Sequence, residues 1–284
     1  IKEIDYDEVT HLFSMLSGGK RLRAKLILKI ASSDDRAPLL AAIVELIHGA
    51  SLLHDDVIDE SHTRRGVASV NATEGSKTAV MLGDILYSKA FSELVSFDRD
   101  IAKVVSSSVT ALSKGEMQDV KLAQIFNSDE DKYLDMLYLK TATLIEASAI
   151  AAALLVGKDI QTYGLYGRNL GLSFQIIDDI LDITSDAVTL GKPSMNDYVE
   201  GKCTLPYIYL YQALDDADKQ RLVFSHAKSI DTDEALWIKE KMEEHQSIER
   251  AFKLAHELSH EAMEAVSDDH ALVSILDTMI KRSY

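Results

Sequence analysis

Apolar side chains recur at three- and four-residue spacing along almost the whole chain, and no stretch alternates strictly enough to predict a strand. The pattern predicts a helical segment from about Asp5, through a turn at "SGGK", to Ile30. A second helix is predicted from Pro38, a favoured first-turn residue, to about Asp59. A polar loop over 60–75 follows. Further helices are predicted over 77–97, 100–124, 131–156 and 160–184, the helix at 131 opened by "SDED", a capping-box-like start at Ser128. Beyond the loop "SDAVTLGKPSMNDYVEGK", residues 204–284 read as four or five shorter amphipathic helices without recognisable chemistry. No linker or composition shift marks a boundary, so one all-α domain over 1–284 is the expectation.

Composition sharpens this picture. The 284 residues include only three prolines, Pro38, Pro193 and Pro206, and thirteen glycines, too few for a turn-rich β protein. A formal net charge of -16 argues against a nucleic-acid partner, which needs a Lys/Arg surplus, but leaves small anionic substrates open if metal ions or a local basic cluster bind them. Cys203 is the single cysteine, so disulfide frameworks and cysteine metal sites are excluded and a reducing, cytoplasmic setting is expected. The first residues lack a secretory h-region, and the longest near-continuous apolar stretch, 147–156, is too short for a transmembrane segment.

Against this apolar background two words stand out: "LLHDDVIDE", with Asp55, Asp56 and Asp59, and "FQIIDDILDIT", with Asp178, Asp179 and Asp182. On a helix, residues four apart share a face, so Asp55 with Asp59, and Asp178 with Asp182, each point one way. If the two faces meet across a cleft, carboxylates about 6 Å apart at an effective dielectric near 20 repel by roughly 3 kcal/mol per pair, and cations are required. Oxygen-only ligands at this density select hard divalent ions, Mg²⁺ above all, which is commonly shared with substrate phosphates. The implied substrate carries a diphosphate. Each cluster alone would pass for a solvated helix end; two copies embedded in apolar sequence do not. A phosphohydrolase with His48, His54 and Asp55 as ligands would leave the second cluster idle. Basic residues complete an anion site: Lys20, Arg21 and Arg23 in "GGKRLR", Arg64 and Arg65 in "TRRG", and Lys140, Lys192 and Lys202 further on.

With these motifs the sequence resembles the trans-isoprenyl diphosphate synthases, or polyprenyl synthetases. The matching words are "GGKRLR", "ELIHGASLLHDDVIDESHTRRG", "GDILYSKAF", "KTATLIEAS", "GLSFQIIDDILDIT" and "GKPSMNDYVEGKCTLP", in the family's order across roughly residues 16–206. Ala24 stands where many members have proline. The resemblance implies the isoprenoid synthase fold, ten or more helices around a central substrate cavity, and a homodimer. It implies Asp55, Asp59 and Asp178 as direct ligands of three Mg²⁺ ions, with Asp56, Asp179 and Asp182 acting through water. The allylic diphosphate would be clamped with Arg64, Lys140, Lys192 and Lys202. Isopentenyl diphosphate would lie against Lys20, Arg23, His48 and Arg65. The departing diphosphate leaves an allylic carbocation, which Thr141 and Gln175 would favour with their oxygens.

One isoprene unit, on the order of 5 Å, nearly matches a helical turn, so the helix that carries Asp55 can act as a ruler for the product. Short-chain members of the family resemble this sequence except for bulky side chains near Ala50 and Ser51. Small residues there, followed by Ile47 and Val44, suggest a tunnel for a product of roughly thirty to forty carbons. A competing reading of Ala50 and Ser51 is that they merely let two helices pack closely; competing functions are a short-chain farnesyl or geranylgeranyl diphosphate synthase, a class I terpene cyclase, whose second metal motif would differ, and a non-catalytic partner subunit, whose aspartate motifs would be degraded.

Overall fold

The computed structural model describes residues 4–16, 19–64, 66–184 and 195–280. Its helices are α1 (Asp7–Met15), α2 (Leu22–Ile30), α3 (Ala37–Ile58), α4 (Val70–Glu74), α5 (Ser76–Leu94), α6 (Arg99–Leu122), α7 (Glu130–Leu137), α8 (Thr143–Val156), α9 (Ile160–Thr184), α10 (Asn196–Val199), α11 (Leu205–Ala213), α12 (Asp216–Ser225), α13 (Thr232–Glu244), α14 (Ser247–Ala265) and α15 (His270–Ile280). The all-α expectation holds. Among the described residues the sheet is limited to β1 (Thr63–Arg64) paired antiparallel with β2 (Val67–Ala68).

Three local expectations are corrected. The stretch 60–75 is not one loop: Gly66, at φ +77°, turns β1 into β2, and Ser69 then caps α4 by accepting from the Ala72 N–H at 3.1 Å. Elements this short carry no periodicity to detect. The helix at 130 starts one residue later than the capping box suggested, because Asp129 and not Ser128 accepts the Lys132 N–H, at 3.2 Å. The helix expected to run unbroken over 131–156 is interrupted by a π-helical turn, Tyr138–Ala142, between α7 and α8.

The chain forms two compact units. One comprises Ile1–Thr110 and Ala147–Gln161, the other Ala111–Glu146 and Thr162–Tyr284. In the first, α3 packs against α2 and α5, burying Leu40, Ile43, Val44, Ile47, Ala50 and Leu53 completely. The first turn of α2 has no side-chain N-cap; Glu45 of α3 instead accepts the Ala24 N–H at 3.1 Å. Lys158 donates to the Ile30 carbonyl at 3.0 Å, closing the end of α2.

The second unit shows what the C-terminal helices are for. Tyr198, Tyr207, Leu210, Leu222, Ile238 and Met242 form a buried cluster with Ile183 of α9, and the rings of Tyr198 and Tyr207 stack with centroids 4.5 Å apart. Tyr166 of α9 donates to the Leu272 carbonyl at 3.0 Å, and Asn169 donates to Glu261 at 3.0 Å. These contacts fix α9 along its length and so place its carboxylates. Two stretches, Ala37–Ile58 and Glu130–Val156, are long and apolar enough to cross a membrane by length and composition, yet half or more of each apolar window, 50% and 61%, is buried within the protein.

Candidate active site

The first aspartate motif ends α3. Asp55 is half-buried, Asp59 is the exposed C-cap residue, and Asp56 between them is 2% exposed. A buried carboxylate needs a partner, and the hairpin supplies it: Arg64 on β1 donates from Nε to both Asp56 oxygens at 2.9 Å and from Nη2 to Oδ1 at 2.7 Å. The Ser61 N–H and the Asn71 side chain donate to the Asp56 carbonyl at 2.9 and 3.3 Å, folding the segment back over the helix end. The guanidinium keeps further N–H donors, so Arg64 both neutralises Asp56 and presents positive charge beside the motif.

Three residues of "GDILYSKAF", Gly83, Asp84 and Tyr87, bear on this motif. Gly83 of α5 leaves room for the His54 ring, where a Cβ would lie 2.3 Å from Nε2. His54 Nε2 lies 3.3 Å from the Val80 carbonyl oxygen and 3.5 Å from an Asp84 oxygen. That seat assigns His54 to helix packing, not to the phosphohydrolase ligand set. The Tyr87 ring lies tilted against that of His54, centroids 5.6 Å apart; burial, then the charges of Asp55 and Asp84, push its hydroxyl up to about 12. Lys20 is exposed before α2, Arg23 lies half-buried on its first turn, and His48 is half-buried on α3. Ser51 donates its hydroxyl to the His48 carbonyl at 2.9 Å. Arg65 and Lys192 lie outside the described residues.

The second motif lies near the end of α9, with Asp178 half-buried and Asp179 and Asp182 buried. Asp179 is held by neutral donors. The Tyr133 hydroxyl bonds to Oδ2, and the Gln175 amide donates to Oδ1 at 2.9 Å. Burial first, and the charge of Asp197 next, hold the Asp179 carboxyl well above the usual carboxylate range. Asp182 accepts the Asp197 N–H at 3.1 Å, which anchors α10. Gln175 has its orientation set by Asp179 and turns its oxygen to the Thr141 hydroxyl, which donates at 3.3 Å.

Lys140 stands on the π turn with its ammonium 2.5 Å from Asp119 and 2.9 Å from Glu116. Burial disfavours the charged form, but the two carboxylates more than offset it, so the ammonium is held above its ordinary value and is a permanent cation. Among the described residues two carboxylates engage it, and an ammonium has three N–H groups to give. A cavity of about 130 Å³ opens beside it, lined by Lys140, Thr141, Gln175, Asp179, Lys202 and Cys203 among others. Lys202 pairs with Glu200 at 2.9 Å, and burial pushes the Cys203 thiol up to about 12, which keeps it protonated. Glu116, Asp119, Tyr133 and Asp197 were missed by sequence reasoning; "GEMQD", two acids three residues apart after a glycine, was the available signal, and in an acidic chain it looks like a solvated face.

The carboxylates fit magnesium by chemistry. Asp55, Asp59 and Asp178 are oxygen donors at least partly exposed to solvent, while Asp56, Asp179 and Asp182 are buried. Among the described residues no three His, Cys, Asp or Glu side chains are close enough to hold an ion by themselves. Mg²⁺ commonly binds one or two carboxylates and completes its shell with phosphate and water.

The polyprenyl synthetase family model matches residues 6–259. The fold is similar to that of octaprenyl pyrophosphate synthase from Helicobacter pylori, with a TM-score of 0.94 and 44% identity over 99% of this chain and 95% of that one. The sequence is 34% identical to octaprenyl diphosphate synthase of Haemophilus influenzae, covering 94% of this chain and 85% of the relative. It is 36% identical to a short chain isoprenyl diphosphate synthase of Methanothermobacter thermautotrophicus, covering 73% and 67%. The chain belongs to the polyprenyl synthetase family of prenyl-transferring enzymes.

Proposed function

We propose that this protein is a Mg²⁺-dependent trans-prenyltransferase that condenses isopentenyl diphosphate with an allylic diphosphate and extends the chain to a medium or long product of roughly thirty to forty carbons. The observation that carries the length is the pair of small residues, Ala50 and Ser51, one turn before Asp55, followed by Ile47 and Val44. The octaprenyl names of two relatives support it, while the short-chain relative supports the second reading, a farnesyl or geranylgeranyl diphosphate synthase.

In this reading Asp55, Asp59 and Asp178 hold the ions, three in number, and Asp56, Asp179 and Asp182 orient them through water. Bound magnesium would neutralise charge on the departing diphosphate. Lys140, Lys192, Lys202 and Arg64 orient the allylic diphosphate, and Lys20, Arg23, His48 and Arg65 receive isopentenyl diphosphate. Thr141 and Gln175 present oxygens toward the cation left at the allylic carbon. The proton lost after attack passes to a diphosphate oxygen, so no protein nucleophile is needed. The chain works as one polyprenyl synthase domain, as a homodimer in the cytoplasm.

The test is incubation with Mg²⁺, isopentenyl diphosphate and a short allylic diphosphate, with products sized by chromatography. Chain growth to six or more units is expected, abolished by chelation and restored by Mg²⁺. Growth that stops at three or four units selects the short-chain reading, and diphosphate release without growth would overturn prenyl transfer. Ala50→Phe or Ser51→Phe should shorten the product while the first condensation continues; unchanged length would remove the ruler.

A further inference from the structure

The π turn that carries Lys140 and Thr141 is approached by two glycines whose neighbours are backbone atoms. A Cβ on Gly115 of α6 would lie 2.4 Å from the Lys140 nitrogen and 2.7 Å from both the Leu139 carbonyl carbon and the Lys140 Cα. One on Gly171 of α9 would lie 2.6 Å from the Ala142 Cα and 2.8 Å from its Cβ. Neither glycine has a positive φ, so backbone freedom does not explain it. Inside a helix glycine is worse than alanine, and each position has kept the less stable choice where any side chain would push the turn away. The same two helices hold the turn's side chains. Glu116 and Asp119, on the turn of α6 that begins at Gly115, take the Lys140 ammonium, and Gln175, one turn beyond Gly171, receives the Thr141 hydroxyl.

Single π turns inside α-helices are rare and frequent at functional sites. Here nothing in "YLKTA" itself breaks an α-helix: it holds no glycine or proline. We infer that Gly115, Glu116 and Gly171 are positioning residues for prenyl transfer: α6 and α9 grip the π turn through them and set the direction in which Lys140 and Thr141 face the cavity. The inference rests on the substrate role proposed for Lys140 and Thr141.

The test is a double-mutant cycle in the full chain. Gly115→Ala and Gly171→Ala should each lower kcat/KM for the allylic diphosphate by about 10- to 100-fold, the scale of a displacement near 1 Å, with KM for isopentenyl diphosphate little changed. In a Lys140→Ala background, Gly115→Ala should cost less than about threefold more, because the side chain of the residue it touches is gone and only Thr141 is left to displace. Equal losses in both backgrounds would show packing alone and overturn the proposal, as would full activity of either glycine variant. A Lys140→Ala variant as active as the parent would remove the role given to Lys140 and this inference with it. If the alanine variants do not fold, Glu116→Gln decides: it adds no volume, and it should lose activity in the parent but not beside Lys140→Ala.

Discussion

The two aspartate motifs share one spacing but hold their buried carboxylates in opposite ways. On α3 the middle residue, Asp56, is neutralised by a formal charge, the fork of Arg64. On α9 the middle residue, Asp179, receives only neutral donors, Tyr133 and Gln175, with a second acid, Asp197, adding repulsion. A charge pair compensates desolvation without changing protonation, whereas neutral hydrogen bonds in the same burial leave the proton as the cheaper counter-charge. The first motif therefore meets its buried carboxylate with a formal charge, and the second meets its own with neutral hydrogen bonds and a carboxyl held well above the usual range. Asp55, Asp59 and Asp178 are at least partly exposed, whereas Asp182, the other outer residue of the second motif, is buried.

This contrast can be broken at several points. The largest effect is expected at the open residues: Asp55→Ala and Asp178→Ala should each cost on the order of 10²–10³ in kcat with little change in melting temperature. A loss under about tenfold at either would show that its motif does not serve the departing diphosphate. Next comes Arg64→Ala, which strands Asp56; urea unfolding should show a loss of roughly 2–3 kcal/mol, at the lower side for a broken buried pair because Arg64 is 30% exposed. Asp56→Asn in the same chain should recover most of it. Tyr133→Phe should cost less, about 1 kcal/mol, since Gln175 remains on Asp179; a larger loss than at Arg64 would reverse the comparison.

The smallest effect is the most diagnostic. With its folded value raised, Asp179 contributes stability that is complete below the ordinary carboxylate value near 3.9 and lost as pH rises through the folded value. In magnesium-free buffer Asp179→Asn should therefore melt above the parent at pH 8, with the margin closing as the pH falls toward about 4. A constant margin would show that Asp179 carries no buried charge.

Much of the molecule was legible in the chain. Helix α3 begins and ends within a residue of its expected bounds, and α9 matches at both ends, because a sustained 3.6-residue period with few breakers leaves no competing local structure. The hairpin at 63–68 was not legible, having four strand residues and no period. The π turn was not legible either, since "YLKTA" itself reads as ordinary helix and the glycines that approach it, Gly115 and Gly171, are distant in sequence.

The sequence by itself determined the helical class, the faces on which the six carboxylates stand, and the small residues one turn before Asp55, because each follows from spacing along one helix. Only the tertiary structure decided which of those carboxylates are occupied and by what. Asp56 meets Arg64 across 8 positions, Lys140 meets Asp119 across 21, and Tyr133 meets Asp179 across 46. Partners at such separations are chosen by how helices pack, and their effect on charge depends on the burial that packing creates.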